Sequence, residues 1–159
     1  MSTYVVAETA LLARVVAYSG GTVFTTTNSS RGDFRVLNNE GVTQGAVLLQ
    51  AAASEFGDDL GGGRGAMGKR QQRHRIALIL FQRRNGSDGD NYTALATLTD
   101  TVIAYLDTYP LLNNTSSVKR AEVVSASEPR IRRSSDWIYQ TVLVEVMTET
   151  APALTEPIR

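Results

Sequence analysis

In a chain with no cysteine and one histidine, chemistry must come from hydroxyls, carboxylates, that imidazole or a phosphate-cradling loop. One stretch comes close to the last of these. Gly63-Arg64-Gly65-Ala66-Met67-Gly68 satisfies the G-x-G-x-x-G spacing of a dinucleotide site, and Asp88 follows by about twenty residues, where a carboxylate would hold a ribose hydroxyl. A dinucleotide site needs those glycines to open a helix whose N-terminus faces the pyrophosphate. Here Gly68 leads through charged residues into the apolar run Arg75 to Phe81, which reads as a strand. The same letters from Gly63 to Lys69 approach a P-loop, but Arg70 stands where a Ser or Thr hydroxyl must hold magnesium. Neither nucleotide reading holds, and no cofactor is expected.

The remaining chemical motifs are thinner. With His74 as the single histidine, no HxxxH or HExxH pair can hold a metal, and no metal site is expected. No serine sits in a G-x-S-x-G elbow, and His74 itself reads as a solvated member of a basic run. Arg31-Gly32-Asp33 matches an adhesion tripeptide, a match too short to carry a function. The Asn-X-Ser/Thr triplets at Asn28, Asn85, Asn91, Asn113 and Asn114 read as turn chemistry, because Glu8 and Arg14 interrupt any N-terminal secretion signal and an intracellular product is expected. An enzyme is not expected.

Charge segregation is the strongest chemical signal. Arg64, Lys69, Arg70, Arg73, Arg75, Arg83 and Arg84 supply seven of the sixteen basic residues, and no acidic residue occurs between Gly61 and Ser87. One reading is a solvated loop whose charges pair with Glu55, Asp58, Asp59, Asp88 and Asp90. The other is contact with an acidic partner surface or a phosphate backbone, made by Arg64, Lys69, Arg70, Arg73 and Arg75. Both stay open, although the absence of aromatic residues in the run argues against base stacking.

The elements that must position these residues follow from periodicity. Tyr4, Leu11, Val15 and Tyr18 share one stripe of an amphipathic helix, with Ser2 or Thr3 as its cap and Ser19-Gly20-Gly21 as its end. Thr22 to Asn39 suggests short strand pieces, best around Phe34 to Leu37. Ala46 to Ala53 and Arg75 to Phe81 read as strands of a hairpin whose tip is an extended Gly/Arg-rich loop over residues 55–73; Gly57 to Gly68 alone holds six of the thirteen glycines. Asp90 can cap a second helix carrying Leu95, Leu98, Val102, Leu106 and Tyr109, stopped by Pro110. Val118 to Ala126 and Trp137 to Met147 complete the strands, and residues 151–159 read as a mobile tail.

A 159-residue chain with 42% hydrophobic and 20% charged residues is globular, and its length fits one domain, placed at residues 1–150. Sixteen basic residues balance sixteen acidic ones, which excludes a surface wholly devoted to nucleic acid or an anionic membrane. The fold class expected is α+β: a mainly antiparallel sheet of about four to six strands with both helices on one face. Runs apolar on both faces then require cover for the second face, and a neighbouring subunit is the economical source. Ile79, Phe81, Tyr139 and Leu143 are the residues expected at that subunit or sheet interface.

Five stretches together carry a resemblance: the helix Tyr4 to Tyr18, AVLLQAAASEF (Ala46 to Phe56), RIALILF (Arg75 to Phe81), DNYTALATLTDTVIAYLDTYP (Asp90 to Pro110) and DWIYQTVLVEVMTE (Asp136 to Glu149). In order, length and apolar character the chain resembles the tail terminator, or tail completion, proteins of long-tailed bacteriophages. The resemblance implies a structural virion protein, made in the host bacterial cytoplasm and placed at the tail-neck junction. Such a subunit forms a ring, a hexamer in the family, that caps the tail tube, ends its polymerisation and offers a head-joining surface. The implied partners are further copies of the chain, the tail tube protein and head-tail connector proteins, with no membrane; non-specific contact with passing DNA is an expectation from the charges of the basic loop itself, not from the family. A head-to-tail neck component and a nucleic-acid-binding accessory domain are the alternative readings.

Overall fold

The computed structural model describes residues 2–56, 70–113, 117–131 and 135–150. The first helix, α1 (Thr3–Val16), begins where the Ser2 hydroxyl accepts the Tyr4 N–H, and buries Ala7, Ala10, Leu11 and Val15 along one stripe. A 3-10 turn, Tyr18–Gly21, ends it through Ser19 (φ 52°) and Gly20 (φ 70°), the left-handed conformations that Ser-Gly-Gly accommodates. The second helix, α2 (Asp88–Asp107), buries Leu95, Thr99, Val102 and Leu106. Its cap is Ser87, whose hydroxyl accepts the Asp90 N–H, so Asp90 is not the cap. Asp90 lies instead in the first turn beside Asp88, where the helix dipole favours a carboxylate.

The strands are β1 (Ser29–Arg31), β2 (Gln44–Gln50), β3 (Glu55–Phe56), β4 (Arg70–Arg83), β5 (Val118–Ala126), β6 (Arg130–Ile131) and β7 (Trp137–Thr150). The five main ones lie in the order β1-β2-β4-β7-β5; β3 also pairs with β4, and β6 with β7. Only β1 runs parallel to its neighbour, so the sheet is mixed and mostly antiparallel, with the helices packed on one face as the sequence reading expects. The fold is α+β.

Two further sequence expectations are corrected. Phe34 to Leu37 is not a strand: Gly32 turns the chain at φ 69°, the Asp33 carboxylate accepts the Arg35 N–H, and Phe34–Asn38 winds into a 3-10 helix. The extended loop is also shorter than residues 55–73, because Glu55 pairs with Arg73, Phe56 with Gln72, and β4 already starts at Arg70. The reason is β7. It continues past Met147 to Thr150 and lies beside β4 over its whole length, from Arg70↔Thr150 to Arg83↔Trp137, giving the basic stretch a ladder partner. Residues 57–69 and the tail 151–159 lie outside the described residues.

Unbroken pairing of β4 with β7 keeps strict alternation. His74, Ile76, Leu78 and Leu80 of β4, with Ile138, Val142, Val144 and Val146 of β7, face the helices and are buried. They pack with Leu11, Val15, Leu95 and Val102 in one core, where each large aliphatic side chain contributes about 1.5–3 kcal/mol. The opposite face carries the odd-numbered residues of both strands. Over its β2 corner lies the 3-10 helix Phe34–Asn38, whose Leu37 packs with Val47 and Phe81 in a second, smaller cluster. Gly45 permits this approach: a Cβ there would stand 2.4 Å from the Asn28 carbonyl oxygen and 2.7 Å from Leu37 Cδ2.

Candidate functional site

Alternation places Ile79, Phe81, Tyr139 and Leu143 together on the face turned away from the helices. Phe81 stands opposite Tyr139, while Leu143 faces Ala77 and Ile79 faces Thr141. Leu49 of β2, opposite Ala77, joins them; sequence reading missed it, although its alternation with the buried Leu48 was the available signal. Leu49, Ile79, Tyr139 and Leu143 are only partly buried and run across β2, β4 and β7. Phe81 differs from the other three expected residues. It is 9% exposed, with Phe34 edge-on at 5.9 Å, Trp137 edge-on at 6.3 Å and Tyr139 tilted at 6.0 Å. The chain covers Phe81 itself, so this ring is core and not open surface.

Next to the apolar strip lies a block of charge. Arg75, Glu145 and Glu122 stand in one cross-strand row over β4, β7 and β5, and Arg73, Met147 and Arg120 in the next. Arg73 Nε and Arg75 Nε approach the two carboxylate oxygens of Glu145 at 3.8 and 3.5 Å, and Arg120 pairs with Glu122. The first two distances are Coulombic contacts, too long to be strong hydrogen bonds. The row sets Glu145 against Glu122, a like-charge pair that three surrounding guanidiniums make tolerable.

Of the five basic residues expected to act together, three lie among the described residues, and these three are divided between the two faces of β4. Arg73 and Arg75 point to the face without helices. Arg70, at an even position, is on the helix side, with its guanidinium 4.9 Å over the ring of Phe56, a side chain 65% exposed. Arg64 and Lys69 lie outside the described residues. Of the expected acidic partners, Asp88 is engaged, by Arg84 at 3.0 Å. Arg83 turns instead to Asp136 at 3.7 Å and stacks 4.6 Å over Trp137.

The reading of His74 as solvated is overturned: it has no exposed surface. Nδ1 lies 2.7 Å from Ser54 Oγ and Nε2 lies 3.1 Å from Thr148 Oγ1, with the Tyr4 ring edge-on at 5.9 Å. Burial holds its pKa below the ordinary histidine range. A Ser-His contact invites a nucleophilic reading, but the partner on the other nitrogen is a hydroxyl, which cannot stabilise an imidazolium as a carboxylate does. Two hydroxyls satisfying one neutral ring describe a core histidine. The signal was its place two residues before Ile76 on the helix-facing side. Nearby, Tyr4 donates its hydroxyl to Glu8, which also takes Arg31 Nη1 at 3.1 Å, so α1 is tied to β1 through a nearly buried carboxylate. Burial, then the Glu8 contact, raises the Tyr4 pKa.

Among the described residues no group of three metal-ligating side chains occurs, and no helix is long and apolar enough to cross a membrane. No protein-family model matches the chain, and no curated protein does. Among solved structures, the chain is similar to one in the structure described as "Virion of native gene transfer agent (GTA) particle". The identity is 14%, the match covers 88% of this chain and 85% of that chain, and the TM-score is 0.47.

Proposed function

We propose that the protein is a structural subunit of a phage-like virion that closes into a ring, caps the tail tube, ends its polymerisation and offers a surface for head joining. The observation that carries the reading is the half-covered second face of the sheet. Both helices are spent on the opposite face, and the 3-10 helix Phe34–Asn38 shields only the β2 corner. Leu49, Ile79, Tyr139 and Leu143 form a contiguous apolar strip beside a mixed Arg/Glu block, the composition of an interface core with a charged rim. A ring contact is heterologous, so this face meets a different surface of the next copy, and mixed charge then sets orientation more than affinity.

In this reading Ile79, Tyr139 and Leu143, with Leu49 added, are the subunit interface, and Phe81 supports it from beneath. Arg70, Arg73 and Arg75, with Arg64 and Lys69, are the contacts to an adjoining ring or to passing DNA. The order of elements and the resemblance to tail terminators support the neck position; no site for catalysis is needed.

The test is charge insertion in the strip. Leu143→Glu should leave circular dichroism and monomer stability close to wild type, because Leu143 packs against neither core cluster, while Ile79→Glu should cost some stability through its packing on Leu37, Val47 and Phe81; with either variant, rings on purified tail tubes should disappear in electron micrographs. Unchanged rings with both variants would sink the proposal.

A further inference from the structure

Across the molecule from the apolar strip, where both helices end, Arg14 in the last turn of α1 meets Tyr105 and Tyr109. Its guanidinium lies 4.3 Å over the Tyr109 ring and 5.9 Å from the centre of the Tyr105 ring. Tyr18 packs edge-on against Tyr105 at 5.3 Å, and Tyr109 lies 5.0 Å from Tyr105. Stacking holds the Arg14 side chain: Nε is shut away from solvent without an acceptor, whereas the terminal Nη groups stay accessible. The three tyrosines are only partly buried, and Leu111, two residues beyond Tyr109, is 37% exposed. Among the described residues no carboxylate pairs with Arg14, and the hydroxyls of Tyr105 and Tyr109 have no hydrogen-bond partner. The patch therefore presents reachable donors without acceptors among aromatic rings, the Tyr and Arg composition typical of interface centres.

The strip carries the complement. Two residues after Leu143, on the same face, stands Glu145, with a side chain 23% exposed. Its oxygens are approached by Arg73 and Arg75 at 3.8 and 3.5 Å, yet it accepts no hydrogen bond among the described residues. A carboxylate without a hydrogen-bond donor borders apolar side chains on one face, and donors without an acceptor border aromatic rings on the other. The two surfaces lie on opposite sides of the sheet, which suits a heterologous contact: each copy meets one neighbour through the strip and the other through the helices. A strip-to-strip contact would close a dimer and go no further.

We propose that the strip of one copy seats on the Arg14, Tyr105 and Tyr109 patch of the next, with Tyr139 and Leu143 against the tyrosine rings and Arg14 donating to the Glu145 carboxylate. This contact, which rests on the ring reading, supplies its second surface.

A chain without cysteine allows the contact to be trapped by cross-linking. Thr141→Cys lies on the strip face opposite Ile79, and Leu111→Cys at the rim of the patch, so neither removes a group that makes the contact. The chain carrying both is assembled on purified tail tubes and treated with a short bismaleimide. Denaturing gels should show a ladder rising to the closed ring, while either substitution alone gives monomer, because a heterologous contact does not bring a position beside its own copy. Arg14→Met keeps an apolar stem on the rings and removes the donor; it and Glu145→Gln should each raise the subunit concentration that caps half the tubes by about tenfold, with the double variant no worse than either. Absence of a ladder on tubes that carry rings, or losses from Arg14→Met and Glu145→Gln that multiply, would overturn this contact and leave the ring reading standing. Dimers from Thr141→Cys alone, or wild-type tubes without rings, would overturn the ring reading and this contact with it.

Discussion

His74 and Thr148 face each other across β4 and β7 with Nε2 3.1 Å from Oγ1, in a region from which solvent is excluded. A ring held there is neutral, and protonation in place would set a charge between two hydroxyls with no carboxylate in contact. Its folded-state pKa is therefore lowered from 6.5, the value the unfolded chain retains. As pH falls through about 6.5, the unfolded chain takes up a proton that the folded one refuses, so the unfolded state gains. Stability should be fully present above that pH and decline below it until the folded pKa is reached. Urea titrations of wild type and His74→Gln between about pH 7.5 and 5 check this, because the substituted chain should lose that slope.

Ser87 caps α2 and Asp90 only complements its dipole, so their replacements separate. Ser87→Ala should cost about 0.5–2 kcal/mol, and Asp90→Ala about 0.3–1 kcal/mol, with the latter fading as salt is added. Chemical denaturation of the two variants at low and high salt reads the difference. Equal, salt-sensitive losses would return the capping role to Asp90.

Gly45→Ala should destabilise by about 1–3 kcal/mol, since the added Cβ meets a backbone carbonyl that cannot rotate away. The second prediction at this site is a rescue. Combining Gly45→Ala with Leu37→Ala relieves the 2.7 Å contact but not the 2.4 Å one, so a double-mutant cycle on urea midpoints should show a coupling smaller than the loss from Gly45→Ala alone.

Arg75 and Glu145, with side chains 45% and 23% exposed, are partners in a row that also holds Glu122. A double-mutant cycle on Arg75→Ala and Glu145→Ala should give a coupling of about 0.2–1 kcal/mol that shrinks at high salt. Glu122→Gln should be close to neutral, because it removes repulsion from Glu145 together with the exposed pair to Arg120. A coupling that persisted in molar salt would mean that this block is buried, by a neighbouring copy, under the conditions of measurement.

What the sequence determined by itself is what short-range periodicity determines. The stripe of Leu11 and Val15, the recurrence of Leu95, Val102 and Leu106, and the alternation from Ile138 to Val146 each require one buried face, whatever packs against it. From those the two helices, the central strands and their gathering into an α+β sheet were legible. Tertiary structure decided what depends on contacts between residues distant in the chain. Phe34 to Leu37 has strand-like letters, yet winds into a 3-10 helix because it must cover Phe81 and Val47, with the room that Gly45 leaves. Arg70 to Arg73 reads as part of a loop, yet is zipped into β4 because β7 runs on to Thr150 and satisfies its backbone. His74 went inward by the same pairing: once the strand reached back that far, parity alone turned it toward the helices, and Ser54 and Thr148, twenty and seventy-four residues away, made its burial tolerable.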